Sequence, residues 1–513
     1  MNKNELKSPD SRKIELFHVG ARKMMSAEEL LGGDNQSRLK ELANNSTSVA
    51  NILKDLASED TSLWRDAALK ILNRNFAAPS PLEENALIDG LTDTLKEPRA
   101  SEGGDALPWA TISEAALAAL YSLDAEAEHV DNVLLHIVPY TDADQPWTTE
   151  SAAFTADRLL DRYLSGQRKQ EFIVGSVLQS HLRPLFSKSS SSVTAEGRPA
   201  LYRAPPPPAG FHAQKATWKE AGPLIVTLFD WAVQASEPTT IKKHWPLYVP
   251  VLVTLAEDDD VAVRQRGLQI LDVFLAKCPA EVLRTSGIDA VFRESVLPSL
   301  LFLPTLTPEA ESVVLLRAAY RAVRTLALAA DDPADGKRRS LLDRMLREGV
   351  LAGYFHASQH IRVVEVLMQA AAQIVEALQI YAVKHLQSLI DLFAPVLTDA
   401  FALAYPAAVV AAAQALNTTI LNCWPRIVGT PHAEQILNVV SRCWINIHDS
   451  DNDRNSSELE MLVKELTKTM TLMASLWKES DEPMPTEKLS QVVRKAPNLK
   501  PLFAAFRLDT STA

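Results

Sequence analysis

The sequence predicts an all-α protein built from antiparallel pairs of amphipathic helices. Apolar residues recur at helical spacing along the chain, and no stretch alternates β-branched and polar residues as a strand would. Helix pairs also return at about the 40–47-residue spacing of HEAT-type repeats. Since each repeat of this kind packs mainly on its neighbours, the pattern predicts a HEAT/ARM-like α-solenoid.

The clearest helix pair lies near the middle of the chain and has an acidic joint. Asp258, Asp259 and Asp260 form this joint, and Asp260 is expected to cap the second helix, whose N-terminus favours negative charge. Arg264 follows where it can reach back to the joint. Gly267 costs about 1 kcal/mol relative to alanine inside a helix. We therefore expect the neighbouring helix to approach closely there.

Hydrophobic periodicity and capping residues predict the other helices in order. After a short helix near 14–17, one helix is expected over 42–56, followed by helices at 63–71, 82–95, 109–123, 130–138, 149–164 and 172–182. Further along, helices are expected at 221–233, 245–277 (the pair above), 288–302, 308–329, 340–350 with 360–380, 386–403 with 407–423, and 431–447 with 458–477. The segment 331–336 is expected to be a turn.

Composition divides the chain into five predicted regions. A serine-rich stretch followed by the prolines Pro205–Pro208 does not suit a helix, so a flexible crossover is expected. The alternative is a polyproline II segment that docks on an SH3-type partner. The predicted regions are a poorly ordered lead-in at 1–30, N-terminal helical repeats at 31–186, a Ser/Pro-rich loop at 187–216, C-terminal HEAT-like repeats at 217–478 and a tail with short helices at 479–513.

Charge and cysteine content restrict the classes of function. The 513 residues carry a formal net charge of -12 at pH 7, which disfavours a general nucleic-acid or anionic-membrane surface because both require clustered cations. Three cysteines form no disulfide framework, so a reduced intracellular setting is expected. Neither a signal peptide nor an uninterrupted apolar run of about 18 residues is recognised, so no membrane span is expected.

Motifs for catalysis or metal binding are weak. His356 and His360 have the spacing of two ligands on one helical face, but no third ligand is recognised. The acidic joint lacks the ligand spacing of a calcium-binding EF-hand loop. Cys423 and Cys443 would need a neighbouring base to act as nucleophiles, and small buried core residues are the commoner case. We therefore predict no catalytic residue, metal ligand or cofactor.

Residues suited to protein contacts occur near the ends of the C-terminal helices. Trp424 and Trp444 each follow a cysteine, and Pro425 with Arg426 ends a helix abruptly. Tryptophan and arginine are enriched at interface hot spots. We therefore predict a partner interface at Trp424, Pro425, Arg426 and Trp444. The alternative is that both tryptophans cover the core between adjacent repeats.

Two long segments of the chain resemble a known family. Residues 244–271 read HWPLYVPVLVTLAEDDDVAVRQRGLQIL, and residues 286–320 read SGIDAVFRESVLPSLLFLPTLTPEAESVVLLRAAY. With LRPLFSK at 182–188 and VTAEGRPAL at 193–201, their order resembles the Tel2-interacting protein 2 (TTI2) family. The resemblance covers residues 182–477, and the order of the segments is more specific than any one of them.

The resemblance implies a non-catalytic scaffold subunit of the Triple T (TTT) co-chaperone complex, located in the cytoplasm and nucleus. Its partners would be Tti1-like and Tel2-like subunits and, indirectly, Hsp90, the R2TP complex and the PI3-kinase-related kinases whose maturation they support. These kinases control DNA-damage and telomere signalling. No direct contact with nucleic acid or membrane is expected.

Two other functions are open at this stage. A HEAT-repeat transport or coat adaptor has the same predicted fold, although fold analogy alone says little about function. A helical enzyme that uses Cys423 or Cys443 is the third possibility.

Overall fold

The computed structural model describes residues 25–43, 47–74, 76–96, 108–123, 130–186, 217–330, 332–449 and 457–508, with the single positions 194 and 198. Every regular element within these ranges is helical, which confirms the predicted all-α class. The short helix expected near 14–17, the prolines Pro205–Pro208 and nearly all of the loop at 187–216 lie outside the described residues. The chain divides into two compact units, Met1–Ser165 and Gly166–Ala513.

The first unit contains eight α-helices among its described residues. The single helix predicted over 42–56 is wrong, because α2 ends at Leu42 and α3 starts at Val49, where the Ser48 hydroxyl accepts a hydrogen bond from the Asn51 N–H at 3.3 Å. Serine favours this capping role over a helix interior. The helices are α1 (Ala27–Leu30), α2 (Gly33–Leu42), α3 (Val49–Leu56), α4 (Thr61–Asn73), α5 (Pro81–Thr94), α6 (Trp109–Ser122), α7 (Val130–Ile137) and α8 (Glu150–Tyr163).

A buried carboxylate joins several elements of the first unit. Glu114 on α6 is 4% exposed and accepts hydrogen bonds from the Gly32 N–H at 2.8 Å, the Asn35 side chain at 2.8 Å and the Thr149 hydroxyl at 2.5 Å. Asn35 in turn accepts from the Arg65 guanidinium at 2.7 Å. Because a buried charge is costly without partners, this network fixes how α2, α4, α6 and α8 pack.

The second unit contains the remaining helices. Helical stretches with wider π-type turns continue α9 over Phe172–Leu182 and α18 over Met345–Leu351. Short 3₁₀ segments follow α16, α20 and α22 and precede α22 and the C-terminus. The helices are α9 (Gly166–Glu171), α10 (Arg183–Phe186), α11 (Thr217–Glu220), α12 (Leu224–Ala235), α13 (Pro238–Ala256), α14 (Val261–Lys277), α15 (Ala280–Ser286), α16 (Ile288–Val296), α17 (Glu309–Leu328), α18 (Gly336–Arg344), α19 (Ala352–Ala357), α20 (Ile361–Leu378), α21 (Leu386–Thr398), α22 (Pro406–Cys423), α23 (Pro431–Asp449), α24 (Ser457–Lys478) and α25 (Thr486–Lys495).

The boundary between the units lies earlier than the predicted division at the Ser/Pro-rich loop. The helical run from α9 to α10 packs on α12 and α13. Its Phe172 ring lies edge-on to Trp231 at 6.2 Å between centroids, and Phe186 stacks on Trp218 at 5.4 Å. These aromatic contacts, each worth about 0.5–1.5 kcal/mol beyond burial, place residues 166–186 in the second unit.

A row of helices runs through much of the second unit. In this row α14 packs on α17, α17 on α20, α20 on α22 and α22 on α24, while α13, α16, α21 and α23 pack against α14, α17, α22 and α24, respectively. The N-terminal ends of α17, α20 and α22 lie side by side, since His360 Nδ1 is 3.1 Å from Glu309 and the Tyr405 hydroxyl donates to Glu365 at 2.7 Å. These three helices therefore run parallel.

Some helix bounds differ from the sequence predictions because of caps and prolines. α18 starts at Gly336 and not at residue 340, since the Asp335 carboxylate accepts from the Arg338 N–H at 2.8 Å. α13 starts at Pro238 and is kinked at His244, just before Pro246. A proline removes one helix hydrogen bond and crowds the preceding turn, which explains the kink. α15 is a helix that the periodicity did not predict.

One stretch of the described residues is long and apolar enough to cross a membrane by length and composition. It runs from Ile361 to Thr398 and comprises α20, a 3₁₀ segment and α21. Gln379, between the two helices, adopts a positive φ of 53°, and 67% of the apolar window is buried inside the protein. Since α20 packs between α17 and α22, its apolar character is that of a core helix.

Candidate protein-interaction site

The acidic joint between α13 and α14 is closed by its own side chains. The Asp260 carboxylate accepts hydrogen bonds from two backbone N–H groups in the first turn of α14, at 2.8 and 3.1 Å. Asp258 is buried and pairs with the Lys219 ammonium at 2.8 Å. Asp259 is exposed to solvent. Two of the three aspartates are thus occupied by local contacts that order the joint.

Arg264 reaches back into the joint from α14. Its Nε donates to the Asp258 carbonyl at 2.7 Å, and its Nη2 donates to the Glu257 carbonyl at 3.0 Å. The guanidinium also lies 4.3 Å from the centroid of the Phe302 ring, a cation–π contact. Burial lowers the pKa of Arg264, and the negative charges of the joint oppose this effect. These contacts account for the buried position of the Arg264 side chain without any ligand.

Gly267 lies at a close approach of α13 and α14. A Cβ at this position would be 2.6 Å from the Leu255 Cβ and 2.7 Å from the Leu255 carbonyl carbon. Real Cβ atoms do not tolerate such distances, because overlap of this size forces backbone to move. The joint residues as a group therefore hold two helices together. Asp259 and Asp260 are exposed to solvent, but Asp260 is engaged in capping α14.

The end of α22 presents a patch of exposed residues. α22 ends at Cys423, and Trp424–Arg426 forms one 3₁₀ turn, because Pro425 has no N–H with which to continue the helix. Trp424 is 57% exposed, Leu421 one turn earlier is 54% exposed, and Pro425 and Arg426 also face solvent. We call Leu421, Trp424, Pro425 and Arg426 the α22 patch. Leu421 is a member that sequence reasoning missed.

Trp444 lies in the core and does not belong to this patch. It is 4% exposed, its indole N–H donates to the Asn498 carbonyl at 2.9 Å, and its ring stacks on His448 at 4.9 Å between centroids. Trp444 therefore lacks the exposed surface that the predicted partner interface requires, and the alternative that it covers the core describes it. The position is in the middle of α23, on the same face as the buried Val440 and Ile447, and the C-terminal segment covers it.

The cysteines next to the two tryptophans are both buried. Cys423 is 0% and Cys443 1% exposed, and burial raises the pKa of each thiol to about 12. The thiolate is the nucleophilic form, so these side chains are almost entirely in the unreactive form near neutral pH. Their role is that of small core residues.

The histidine pair considered as metal ligands does not lie on one helical face. His356 belongs to α19, which ends at Ala357, whereas His360 precedes α20 and contacts Glu309. Among the described residues no group of three or more histidine, cysteine, aspartate or glutamate side chains has the arrangement of a metal site.

A second set of exposed apolar residues, which sequence reasoning missed, lies at the opposite ends of the same helices. Leu306, Phe355 and Phe401 are 95%, 79% and 90% exposed. They precede α17, α20 and α22, whose N-terminal ends are adjacent, and we call them the N-terminal edge. For Leu306 and Phe355 the signal in the sequence is a large apolar residue inside a predicted connection, where no helical face buries it. Phe401 falls within the helix predicted over 386–403, so the sequence pattern shows no sign of its exposure.

Comparison with known proteins identifies the family of the chain. The family model described as the Tti2 family matches residues 133–404, which is more than half of the 513 residues. The chain belongs to the Tti2 family. A search of curated proteins finds no match. The match confirms the family resemblance seen in the sequence.

The match to the Tti2 family covers a different range from the resemblance. It starts at residue 133 and ends at residue 404, whereas the resemblance covers residues 182–477. The N-terminal edge therefore lies inside the matched range, and the α22 patch lies beyond it. Membership of the Tti2 family supports, in broad terms, a role as a subunit of the Triple T complex.

Proposed function

We propose that the chain is a non-catalytic scaffold subunit of the Triple T complex, which binds Tti1-like and Tel2-like subunits and acts in the cytoplasm and nucleus. The observation that supports this role is the match to the Tti2 family over residues 133–404. Through these subunits the chain would support maturation of PI3-kinase-related kinases with Hsp90 and R2TP. The buried, protonated cysteines agree with a role that involves no chemistry at these residues.

We further propose that the row of helices from α14 to α24, together with the helices packed against it, forms a HEAT-like solenoid. In such repeats one helix of each pair lines one face and its partner lines the other. The contacts of α13 with α14, α16 with α17, α21 with α22 and α23 with α24 support this proposal. A row of parallel helices exposes two series of connections, and a partner can engage either series.

The α22 patch is the partner surface that we favour. A half-exposed tryptophan beside an exposed arginine has the composition of an interface hot spot. The buried Cys423 and the rigid Pro425 hold Trp424 at the helix end, so little side-chain freedom is lost on binding. The N-terminal edge is the competing surface, and its three defining residues are all apolar.

An affinity purification from native cell extract tests both levels of the proposal. The tagged full-length chain is compared with the double variant Trp424→Ala/Arg426→Ala and with the matched variant Leu306→Ser/Phe401→Ser from the other ends of the same helices. Bound proteins are quantified by mass spectrometry, and circular dichroism checks that helicity is unchanged. The unmodified chain should capture Tti1-like and Tel2-like subunits in near-equal amounts, with chaperone components in smaller amounts.

The variants decide which surface binds the partner. Loss of at least about 1 kcal/mol for each of the two hot-spot side chains, or about 2 kcal/mol together, predicts that the double variant binds the subunits at least about thirtyfold less tightly. Loss of capture by the Leu306→Ser/Phe401→Ser variant alone would move the interface to the N-terminal edge. Capture of nuclear transport factors or coat proteins by the unmodified chain, without the two subunits, would contradict the proposed function.

A further inference from the structure

The second unit contains a cleft that is lined mainly by cationic and apolar side chains, although the protein as a whole is acidic. It has a volume of about 410 Å³ and lies between α15, α16, the C-terminal end of α17 and the start of α18. Binding pockets for small groups have volumes of roughly 300–1,000 Å³. Its floor is apolar, formed by the buried side chains of Leu283, Leu326 and Leu341.

Cationic side chains outnumber acidic ones around the cleft. The lining includes four cations against two carboxylates, although the whole chain has a net charge of -12. The four cations are Arg284, Arg293, Lys337 and Arg338, and the two carboxylates are Asp289 and Asp335. A local positive field of this kind attracts negative groups to one place on a surface that otherwise repels them.

Several of these charges already have structural partners. Arg338 donates to the Ala330 and Ala377 carbonyls, both at 3.0 Å, and therefore holds α18 in place. The Lys337 ammonium lies 3.5 Å from Asp289. Asp335 caps α18. The contacts of these side chains account for their positions without a ligand.

Arg284 and Arg293 differ from the other charged residues of the cleft because they have no such structural partners among the described residues. Within the part of the chain that the structure describes, neither forms a hydrogen bond or an ion pair. The nearby Glu281 carboxylate is held by the Lys242 ammonium at 2.8 Å, and its pKa is lowered mainly by Lys242 and to a smaller extent by the charge of Arg284. Arg284 is exposed and Arg293 is half-buried at the wall of the cleft. An arginine guanidinium presents parallel N–H donors that match the two oxygens of a carboxylate. Two such groups beside an apolar floor make a site with both charge and shape.

We infer that this cleft binds an acidic peptide segment of a partner protein. Carboxylates of the segment bind to Arg284 and Arg293, and a neighbouring apolar side chain occupies the floor formed by Leu283, Leu326 and Leu341. The floor favours a peptide over a small inorganic anion, since an anion alone gains nothing from buried leucines. The cleft is separate from both the α22 patch and the N-terminal edge in sequence, and the inference does not depend on the proposed function.

Fluorescence anisotropy with the full-length chain tests this inference. The probe is a short labelled peptide of aspartate, glutamate and leucine, and two control peptides replace its acids by the corresponding amides or its leucines by serine. The variant Arg284→Glu/Arg293→Glu removes the two cleft cations that have no hydrogen bond or ion pair among the described residues, and Ala330→Phe fills the cleft while keeping its charge. A matched variant, Arg442→Glu/Lys464→Glu, makes the same charge change at exposed positions on α23 and α24.

The acidic peptide should bind at least about tenfold more tightly than either control peptide, and raised salt should weaken it. Both cleft variants should lose about tenfold in affinity or more, with an unchanged melting curve, while the matched variant retains binding. If the cleft variants and the matched variant lose the same affinity for the peptide, the binding depends only on the net charge of the protein, and the inference is overturned. Equal binding of the acidic and amide peptides, or full displacement by inorganic phosphate, would also overturn it.

Discussion

Two Cys-Trp pairs in the same unit have opposite environments. Cys423-Trp424 stands at the end of α22, where the tryptophan is 57% exposed, and Cys443-Trp444 stands inside α23, where the tryptophan is 4% exposed. Both cysteines are buried. In both Cys-Trp pairs the cysteine is buried, so the local sequence does not determine whether the tryptophan is exposed.

The difference arises from the segments that cover each tryptophan. α22 ends at Cys423, and Pro425 prevents the helix from continuing, so no further turn of α22 covers the Trp424 ring. α23 continues past Trp444, and the 3₁₀ segment at Pro497–Leu499 packs on it and accepts its indole hydrogen bond through Asn498. Coverage by a distant segment, and not the local pattern, separates a core tryptophan from an exposed one.

The largest expected effect comes from exchanging each tryptophan for alanine. Trp444→Ala should lower the unfolding free energy of the second unit by about 3–5 kcal/mol, because a buried indole is lost and the Asn498 carbonyl loses its donor. Trp424→Ala should change it by less than about 0.5 kcal/mol, as exposed substitutions usually do. Urea unfolding followed by circular dichroism measures both.

The two variants are controls for each other, since they remove the same side chain from the same unit. Similar losses of stability in both would show that Trp424 is covered in solution. The α22 patch would then be unsuited to binding a partner.

A smaller effect is expected at two helical glycines, of which one is closely covered by a neighbouring helix and the other is not. Gly267→Ala should destabilise by about 1–3 kcal/mol, because the added methyl would overlap Leu255. Gly175→Ala should stabilise by up to about 1 kcal/mol through helix propensity, because no atom beyond its chain neighbours and the backbone of its own helix lies within 4 Å of the position that its methyl group would occupy. Thermal melting of the two variants measures the contrast. Stabilisation by both substitutions would mean that α13 and α14 are farther apart than the structure shows.

The smallest effect concerns the buried thiols and the pH. Burial raises the pKa of Cys423 and Cys443 from an ordinary value near 9 to about 12. Between these values the unfolded chain loses thiol protons that the folded chain keeps, so the folded state binds more protons and stability falls as pH rises above about 9. The urea midpoint between pH 7 and 10 measures this. A Cys423→Ala/Cys443→Ala variant should show a shallower slope, and an identical slope in both proteins would contradict the burial of the thiols.

Much of the fold could be predicted from local chemistry. The cap at Asp260, the return of Arg264 to the joint and the close approach at Gly267 all involve residues close to one another along the chain. Short-range signals of this type also place most helices in the described ranges. Helix starts were less predictable where a cap outside the periodic pattern, such as Asp335, begins the helix early.

The candidate sites were only partly predictable, because exposure depends on distant segments. The α22 patch is explained in part by the helix stop at Pro425. The N-terminal edge depends on three helices that lie side by side, and the cleft with Arg284 and Arg293 depends on four helices meeting. Neither arrangement can be predicted from local sequence patterns, because the residues involved are dozens of positions apart in the chain.

The sequence by itself determined the all-α class, the family and the chemistry of the helix joint, because these depend on periodicity, segment order and contacts within a few residues. The tertiary structure alone decided that the chain divides into compact units between Ser165 and Gly166, that Trp444 is covered while Trp424 is not, and that two arginines face an apolar cleft. Each of these results from packing between segments far apart in the chain, where burial is set by the neighbour in space and not by the neighbour in sequence.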